Sequence, residues 1–319
     1  MHSLARPAYL ASAASTLDLQ TSVLTACPCA TDSHFESHLS SWQADGGILP
    51  TSDPLPPKQS FWDKPGIMSA RDLVESSYSD PQQRTRFLAA ASPHSGDWLL
   101  ALPITACGLR LSDEAVRVAV ALRLGCSVCV PHYCRCGSLV DAQGLHGLVC
   151  KQAPSRIIRH HALNDVVARA IQSAGTPVTK QPVGLTRQDG KRPDGLTLIP
   201  WHGGKSSTWD VTVVSTLAAS YLSSSARSAG AAADLAASGK EAKYTSLTNS
   251  YIFQLIAVES RGSFSVICLS FLTTLGERLT GTSGDLREMS YLFQRLSVIV
   301  QRFNSVLIHE SFVSELHID

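Results

Sequence analysis

Three short stretches of this chain carry the residue types that phosphodiester chemistry needs: Arg192-Pro193-Asp194, Trp209-Asp210-Val211 and Lys240-Glu241-Ala242-Lys243-Tyr244. Mg²⁺ is a hard cation, held by one or two carboxylates together with water and phosphate oxygens. An ammonium beside it can orient an attacking water and offset the charge that builds on the phosphorus oxygens. Asp194 and Asp210 are therefore candidate catalytic residues and Mg²⁺ ligands, with a backbone carbonyl such as that of Val211 as a further donor. Lys240 and Lys243 are the candidate catalytic amines. Each residue also has a plain structural reading. Pro-Asp-Gly is ordinary turn chemistry, Asp210 could pair with Lys205 across strands, and two lysines on a helix commonly form a solvated face.

The elements that must position these groups follow from the residues around them. Trp209 to Val214 is a β-branched run with one acid inside it, and His202-Gly203-Gly204-Lys205-Ser206-Ser207 is a cluster of turn-formers. The simplest structure is an antiparallel hairpin with Asp194 near the start of one strand and Asp210 on its partner. An acid among core-type residues is costly unless a cation or a hydrogen-bond donor meets it. From about Ala218 to Leu247 the chain is rich in alanine and reads as a helix, broken near Gly230 and Gly239. On a continuous helix Lys240, Lys243 and Tyr244 would share one face. A third strand is expected over Tyr251–Val258, ending at Glu259.

The order Arg-Pro-Asp, an Asp in a β-branched strand, then Lys-x-x-Lys-Tyr on a helix resembles a restriction-like endonuclease. The version it resembles is the C-terminal region of site-specific non-LTR retrotransposon proteins, within the PD-(D/E)xK nuclease class. The common form of that class places its lysine two residues after the second acid, where this chain has Thr212. The retrotransposon version takes the lysine from the following helix, which leaves Lys240 and Lys243 open for that role. The resemblance implies an α/β fold: a small mixed sheet flanked by helices, preceded by a helical segment and a zinc knuckle. It also implies a catalytic Mg²⁺, a structural Zn²⁺, DNA as partner with element RNA as a second, and an intracellular, nuclear location. His161 resembles the histidine of an Arg-His pair in that family. His161, Tyr244 and Glu259 are auxiliary site candidates, each with a structural alternative.

Where that family carries its knuckle, Cys134-Arg135-Cys136-Gly137 is followed by His146-Gly147-Leu148-Val149-Cys150. Four soft or borderline ligands in a compact stretch suit tetrahedral Zn²⁺. The family usually separates its first two cysteines by two residues, so Cys129 or Cys126 remains open as a substitute ligand.

The 319 residues, 44% hydrophobic, allow two domains or one with a leader. The net charge of +1 says little about nucleic acid, so the distribution matters more. Lys151, Arg156, Arg159, Arg169, Lys180, Arg187, Lys191, Arg192 and Lys205 face only Asp165, Asp189 and Asp194 over the same stretch. Of these, Arg159, Lys191, Arg192 and Lys205 are the nucleic-acid-binding candidates. Nine cysteines with no signal sequence argue for reduced thiols, and Cys27-Pro28-Cys29 reads as two free thiols. No run is long enough to cross a membrane.

The expected organisation is an irregular leader over 1–68, a helical segment over 69–125, the knuckle segment over 126–152 and the nuclease domain over 153–319. Asp80-Pro81 and Ser112 start helices. The helix opened by Pro154 has an expected apolar stripe of Ile158, Ala162, Val166, Ala170 and Ala174, with Arg159, His160, His161 and Asn164 elsewhere on it. The last helix carries Met289, Phe293, Leu296, Val300, Phe303 and Leu307 as a seam expected to dock on the sheet. No polymerase palm motif is present, so the chain reads as the C-terminal part of such a protein, able to perform only the nick. A non-catalytic nucleic-acid-binding remnant, or an interaction protein that binds no nucleic acid, is the rival reading.

Overall fold

The computed structural model describes residues 2–15, 33–51, 55–187 and 190–312. Cys27, Cys29, Asp189 and part of the Leu49–Pro57 stretch lie outside the described residues. The chain divides into two compact units, Met1–Ser79 and Asp80–Asp319.

In the first unit, helices α1 (His2–Ser15), α2 (Ser33–Ala44) and α3 (Gln59–Ser77) gather around aromatic side chains. The rings of Trp42 and Trp62 meet edge-on at 4.9 Å, and Trp42 donates its indole N–H to the Trp62 carbonyl. The stretch expected to be an irregular leader is therefore helical over these residues. Its unit ends at Ser79 rather than 68, and α3 begins at Gln59, ahead of the helical segment expected over 69–125. A few large rings hold this core, and so no long apolar periodicity marks it in the sequence.

The second unit is mixed α/β, with small sheets flanked by helices. Its first helix, α4 (Pro81–Ala91), is capped by Asp80, whose carboxylate accepts the amides of Gln82 and Gln83. Helix α5 (Asp113–Leu124) is capped by Ser112 and stops at Gly125, whose φ of 79° is the left-handed conformation that suits glycine. A two-stranded ribbon, β1 (His132–Tyr133) and β2 (Leu139–Val140), leads into the short α6 (Leu145–Val149). Then come α7 (Ser155–Ser173), β3 (Val178–Lys180), β4 (Gly195–Thr197) and β5 (Ser207–Val214). They are followed by α8 (Leu222–Ser225), α9 (Ala231–Glu241), β6 (Ile252–Glu259), α10 (Val266–Ser283) and α11 (Glu288–Ser311).

The main sheet has the order β3-β4-β5-β6, antiparallel for the first two pairings and parallel between β5 and β6. The expected hairpin is present: Gly195 stands opposite Trp209, and the turn closes through His202 and Lys205. The alternation along β5 sorts its side chains. Trp209 and Val211 enter the core with Leu163 and Val167 of α7 and with Leu272, Phe293 and Leu296 from α10 and α11. Val214, from the opposite face, packs with Ala233 and Ala237 of α9. Burying each large apolar side chain stabilises by about 1.5–3 kcal/mol.

Two helical expectations shift. On α7 the buried positions are Ser155, Arg159, Leu163, Asn164, Val167, Ala168, Ala170 and Ile171, whereas Ile158 is 53% exposed. The helix is rotated from the expected phase because polar Arg159 and Asn164 lie on its inner side. The seam of α11 does bury Phe293, Leu296, Val300 and Leu307, but it packs on α5, α7 and α10 rather than directly on the sheet. Helices α7 and α10 already cover that face. Nor do the expected knuckle and nuclease segments stand apart: with α4 and α5 they belong to one compact unit. Among the described residues no helix is long and apolar enough to cross a membrane.

Gly195 is the closest approach in the hairpin, since a Cβ there would fall inside the Trp209 ring. Gly195→Ala should destabilise the unit by about 1–3 kcal/mol, read as a lower urea midpoint and as a shifted Trp emission at the start of the transition.

Candidate functional site

Both acids are buried where the hairpin begins: Asp194 is 7% exposed and Asp210 is 6%. Asp194 precedes β4, its amide donating to the Trp209 carbonyl at 2.8 Å. Asn164 of α7 locks the same corner, since it donates to the Asp194 carbonyl and accepts the indole N–H of Trp209. On the Asp194 side chain, Oδ2 receives the Val211 amide at 2.6 Å and lies 2.9 Å from His160 Nε2. From the other side Lys240 Nζ, in the last turn of α9, lies 2.9 Å from Asp210 Oδ2 and donates to the Val211 carbonyl at 3.0 Å. Ligand atoms of His160, Asp194 and Asp210 all fall within 4.8 Å of one another. A hairpin, the preceding helix and the following helix thus converge on one spot.

Crowding sets the protonation there. Burial, then the neighbouring Asp194, push the Asp210 carboxyl up to about 7 against the pull of Lys240. Burial pushes Asp194 in the same direction, yet His160, the proton shared with Asp210 and the Val211 amide outweigh it and hold Asp194 below the ordinary value. His160 is raised by its hydrogen bond to Asp194 despite its own burial. Two adjacent buried carboxyls cannot both ionise cheaply, so the pair holds one proton between them.

Geometry separates the two lysines. Helix α9 ends at Glu241, so Lys243 leaves the shared face and is exposed, with no ion pair among the described residues. Gly230, at φ 83°, marks the expected break, but Gly239 lies inside the helix. Tyr244 is buried against the Phe253 ring at 4.7 Å and under Arg187. Its hydroxyl is pushed up to about 12 by burial and by the charge of Asp210.

Other expected site residues fall elsewhere. His161 is exposed, and the neighbour one residue earlier, His160, meets the carboxylate, because the true phase of α7 turns residues 160, 164 and 167 toward the sheet. Glu259 is fully buried opposite Val214, four positions along the strand from Asp210, a distance of roughly 13 Å. There its Oε1 accepts the Ala232 and Ala233 amides and caps the start of α9. Of the basic candidates, Lys191, Arg192 and Lys205 are exposed, Arg192 bonded to Gln181 and Lys205 to the Asn249 carbonyl. Arg159 is largely withdrawn from the surface, being 3% exposed. His160 and Asn164 were missed because polar residues on an inner helix face reverse the apolar pattern. The helical i, i+4 spacing between them was the available signal.

A second cluster unites Cys134, Cys136, His146 and Cys150, whose ligand atoms also lie within 4.8 Å of one another. The Cys134 and Cys150 sulfurs are 3.6 Å apart, and Cys136 Sγ is 3.0 Å from His146 Nε2. Tetrahedral zinc with its usual bond lengths would set its ligands about 3.5–3.8 Å apart, so this Cys₃His set could hold a metal ion such as zinc. Gly137, at φ 84°, makes the turn between the first two cysteines and the rest of the ribbon. Hydrogen bonds from Ser138 lower the Cys136 thiol to about 6. Neither substitute ligand is required: Cys126 is exposed, and Cys129 hydrogen-bonds to the Asp141 carbonyl.

No known family model matches the chain, and no curated protein matches it.

Because Asp210 binds its proton more tightly in the folded chain, the stability which that proton contributes is complete at ordinary carboxylate pKa values. It is lost as pH rises towards 7, by at most about 1.4 kcal/mol per pH unit. His160, also raised, loses its contribution in the same direction, while the lowered Asp194 matters only in stronger acid. Without added divalent cation the melting temperature should fall between about pH 5 and 7.5. Asp210→Asn should flatten that slope in a thermal-denaturation series.

Proposed function

We propose that this protein is a metal-dependent DNA endonuclease with a PD-(D/E)xK-type core and a zinc knuckle, the counterpart of the C-terminal region of a site-specific non-LTR retrotransposon protein. The observation that carries the reading is the convergence of Asp194, Asp210, His160 and Lys240 from a hairpin and two flanking helices. It is supported by the departure at Thr212. Asp210 and Thr212 point to the same face of β5, and Lys240 brings an ammonium to that side from α9.

The residues fit Mg²⁺. Two carboxylates and the Val211 carbonyl are all hard oxygen donors, and the Lys240 ammonium lies against both Asp210 Oδ2 and that carbonyl. Asp194 and Asp210 would hold the ion, with Asp194 Oδ2 also engaged by His160 and the Val211 amide. Bound there, Mg²⁺ would act as a Lewis acid on the phosphate and acidify a coordinated water. His160 fixes the orientation of the Asp194 carboxylate, as outer-shell partners do. Lys240 orients the attacking water and donates to the oxygen on which charge grows. The water oxygen would bond to phosphorus as the bond from phosphorus to the 3′ oxygen breaks, and the proton given up by the water would reach the departing oxygen through solvent, leaving a 5′ phosphate and a 3′ hydroxyl of the kind that primes reverse transcription in the resembled family.

In a plasmid-nicking assay with Mg²⁺, Asp194→Ala and Asp210→Ala should fall to background while DNA binding persists. Lys240→Ala should lose on the order of 10²-fold, and Lys243→Ala should stay within about twofold, since no catalytic donor is removed. Wild-type protein that binds DNA without nicking it under any divalent cation would leave only the binding remnant.

In the same reading the Cys₃His cluster holds one structural zinc and ties the ribbon to the end of α11, where Leu307 packs beneath it and Arg135 donates to the Glu310 carbonyl. Elemental analysis should find about one zinc per chain, and Cys150→Ser should remove it. Hydrogen exchange should then rise across 128–150 while β5 and β6 stay protected. A folded wild-type protein free of zinc would end the knuckle assignment.

A further inference from the structure

Strand β4 pairs with β5 only at Trp209 and Thr208, so among the described residues no strand lies beside the β4-side edge of β5 beyond Asp210. A cavity of 570 Å³ opens there, bounded by residues 211–213, the start of α7 and Lys240. Every charged or titratable side chain lining it is basic or imidazole: Lys151, Arg156, Arg159, His160, His161 and Lys240. A wall of this kind repels cations and concentrates anions.

Arg159 is the informative member. It is 3% exposed, and among the described residues neither its Nε nor its Nη1 meets an acceptor. An arginine enclosed without a carboxylate is expensive, and an unmade hydrogen bond costs the full desolvation of the donor. Burial and the neighbouring Arg156 lower its pKa to about 10, the mark of a cation lacking its counter-charge. Glu310, which meets the start of this helix, accepts from the Ser155 amide and hydroxyl. Among the described residues no acceptor meets Arg159 Nε or Nη1, and the residue lines the cavity. Its planar guanidinium suits the two oxygens of a phosphodiester.

We infer that this cavity is a subsite for a DNA backbone phosphate flanking the one that is cut, held by Arg159 with Arg156 and Lys151 at its rim. The inference rests on the nuclease reading, because Lys240 and His160 belong to both the cavity and the two-carboxylate site. A flanking phosphate here would register the strand so that its neighbour lies over Asp194 and Asp210.

The test reads binding without chemistry. Anisotropy of a labelled duplex on the full chain, without Mg²⁺, is followed from 50 to 300 mM KCl (a working range chosen on the order of physiological ionic strength) for wild type, Arg159→Gln, Arg159→Lys and Arg156→Gln. Each Gln variant should bind more weakly and lower the slope of log K against log salt by about 0.9, the value of one lost phosphate contact. Arg159→Lys should keep the slope, which a merely structural role for the guanidinium would not predict. Inorganic phosphate should compete only at far higher concentration than unlabelled duplex. If it competes as well as duplex does, the pocket serves free phosphate and the DNA subsite is wrong. An unchanged slope in folded Arg159→Gln overturns the inference, and if that variant does not fold, an unchanged slope in Arg156→Gln does so. Loss of nicking by the wild type would instead count against the nuclease reading, since the slope is measured without Mg²⁺.

Discussion

Two carboxyl groups, Asp194 and Asp210, are buried side by side at the mouth of a hairpin, and a protein can keep such a pair only by surrounding it with compensation. Removing an ion from water costs several kcal/mol unless opposite charge and hydrogen bonds meet it. The proton retained by Asp210, the ammonium of Lys240, the His160 ring and the Val211 amide together supply that compensation. With His160 the pair brings three ligand atoms within 4.8 Å of one another, a group that could hold a metal ion.

The surrounding fold is arranged around that corner. Gly195 lets β4 approach the Trp209 ring, and Asn164 ties ring and backbone together, so Asp194 is placed by packing as well as by the ladder. On the opposite side Glu259 anchors the first amides of α9, and Lys240 emerges in the last turn of the same helix. Glu259 thus bears on the site through the helix it caps. The two amides and the helix dipole offset only part of the cost of its burial, which still pushes the Glu259 carboxyl up.

The Cys₃His ribbon obeys a different constraint. Strands of two residues each cannot form a core, and its apolar side chains lean on the end of α11. Cross-linking by a metal ion is the usual way such a short segment stays ordered. The same helix contributes Phe293, Leu296 and Val300 to the main core, so ribbon and sheet share one long element.

What the sequence determined by itself was local. The hairpin with an acid in each arm followed from turn-formers between β-branched runs, and Asp80 and Ser112 stood where caps belong. The four metal-ligand candidates lay within seventeen residues of chain, close enough for short-range geometry to gather them. Only the tertiary structure decided which groups surround the acids. Lys240 was separated from Lys243 by where α9 ends, and His160 from His161 by how α7 is rotated. Arg159 left the surface, and Glu259 the site, for reasons equally absent from their neighbours in sequence. A helix's end and phase depend on the surface against which it packs, and when its inner face carries Arg and Asn the apolar pattern points the wrong way. Local preferences place the acids, whereas the cations that make them useful arrive through packing between elements distant in the chain.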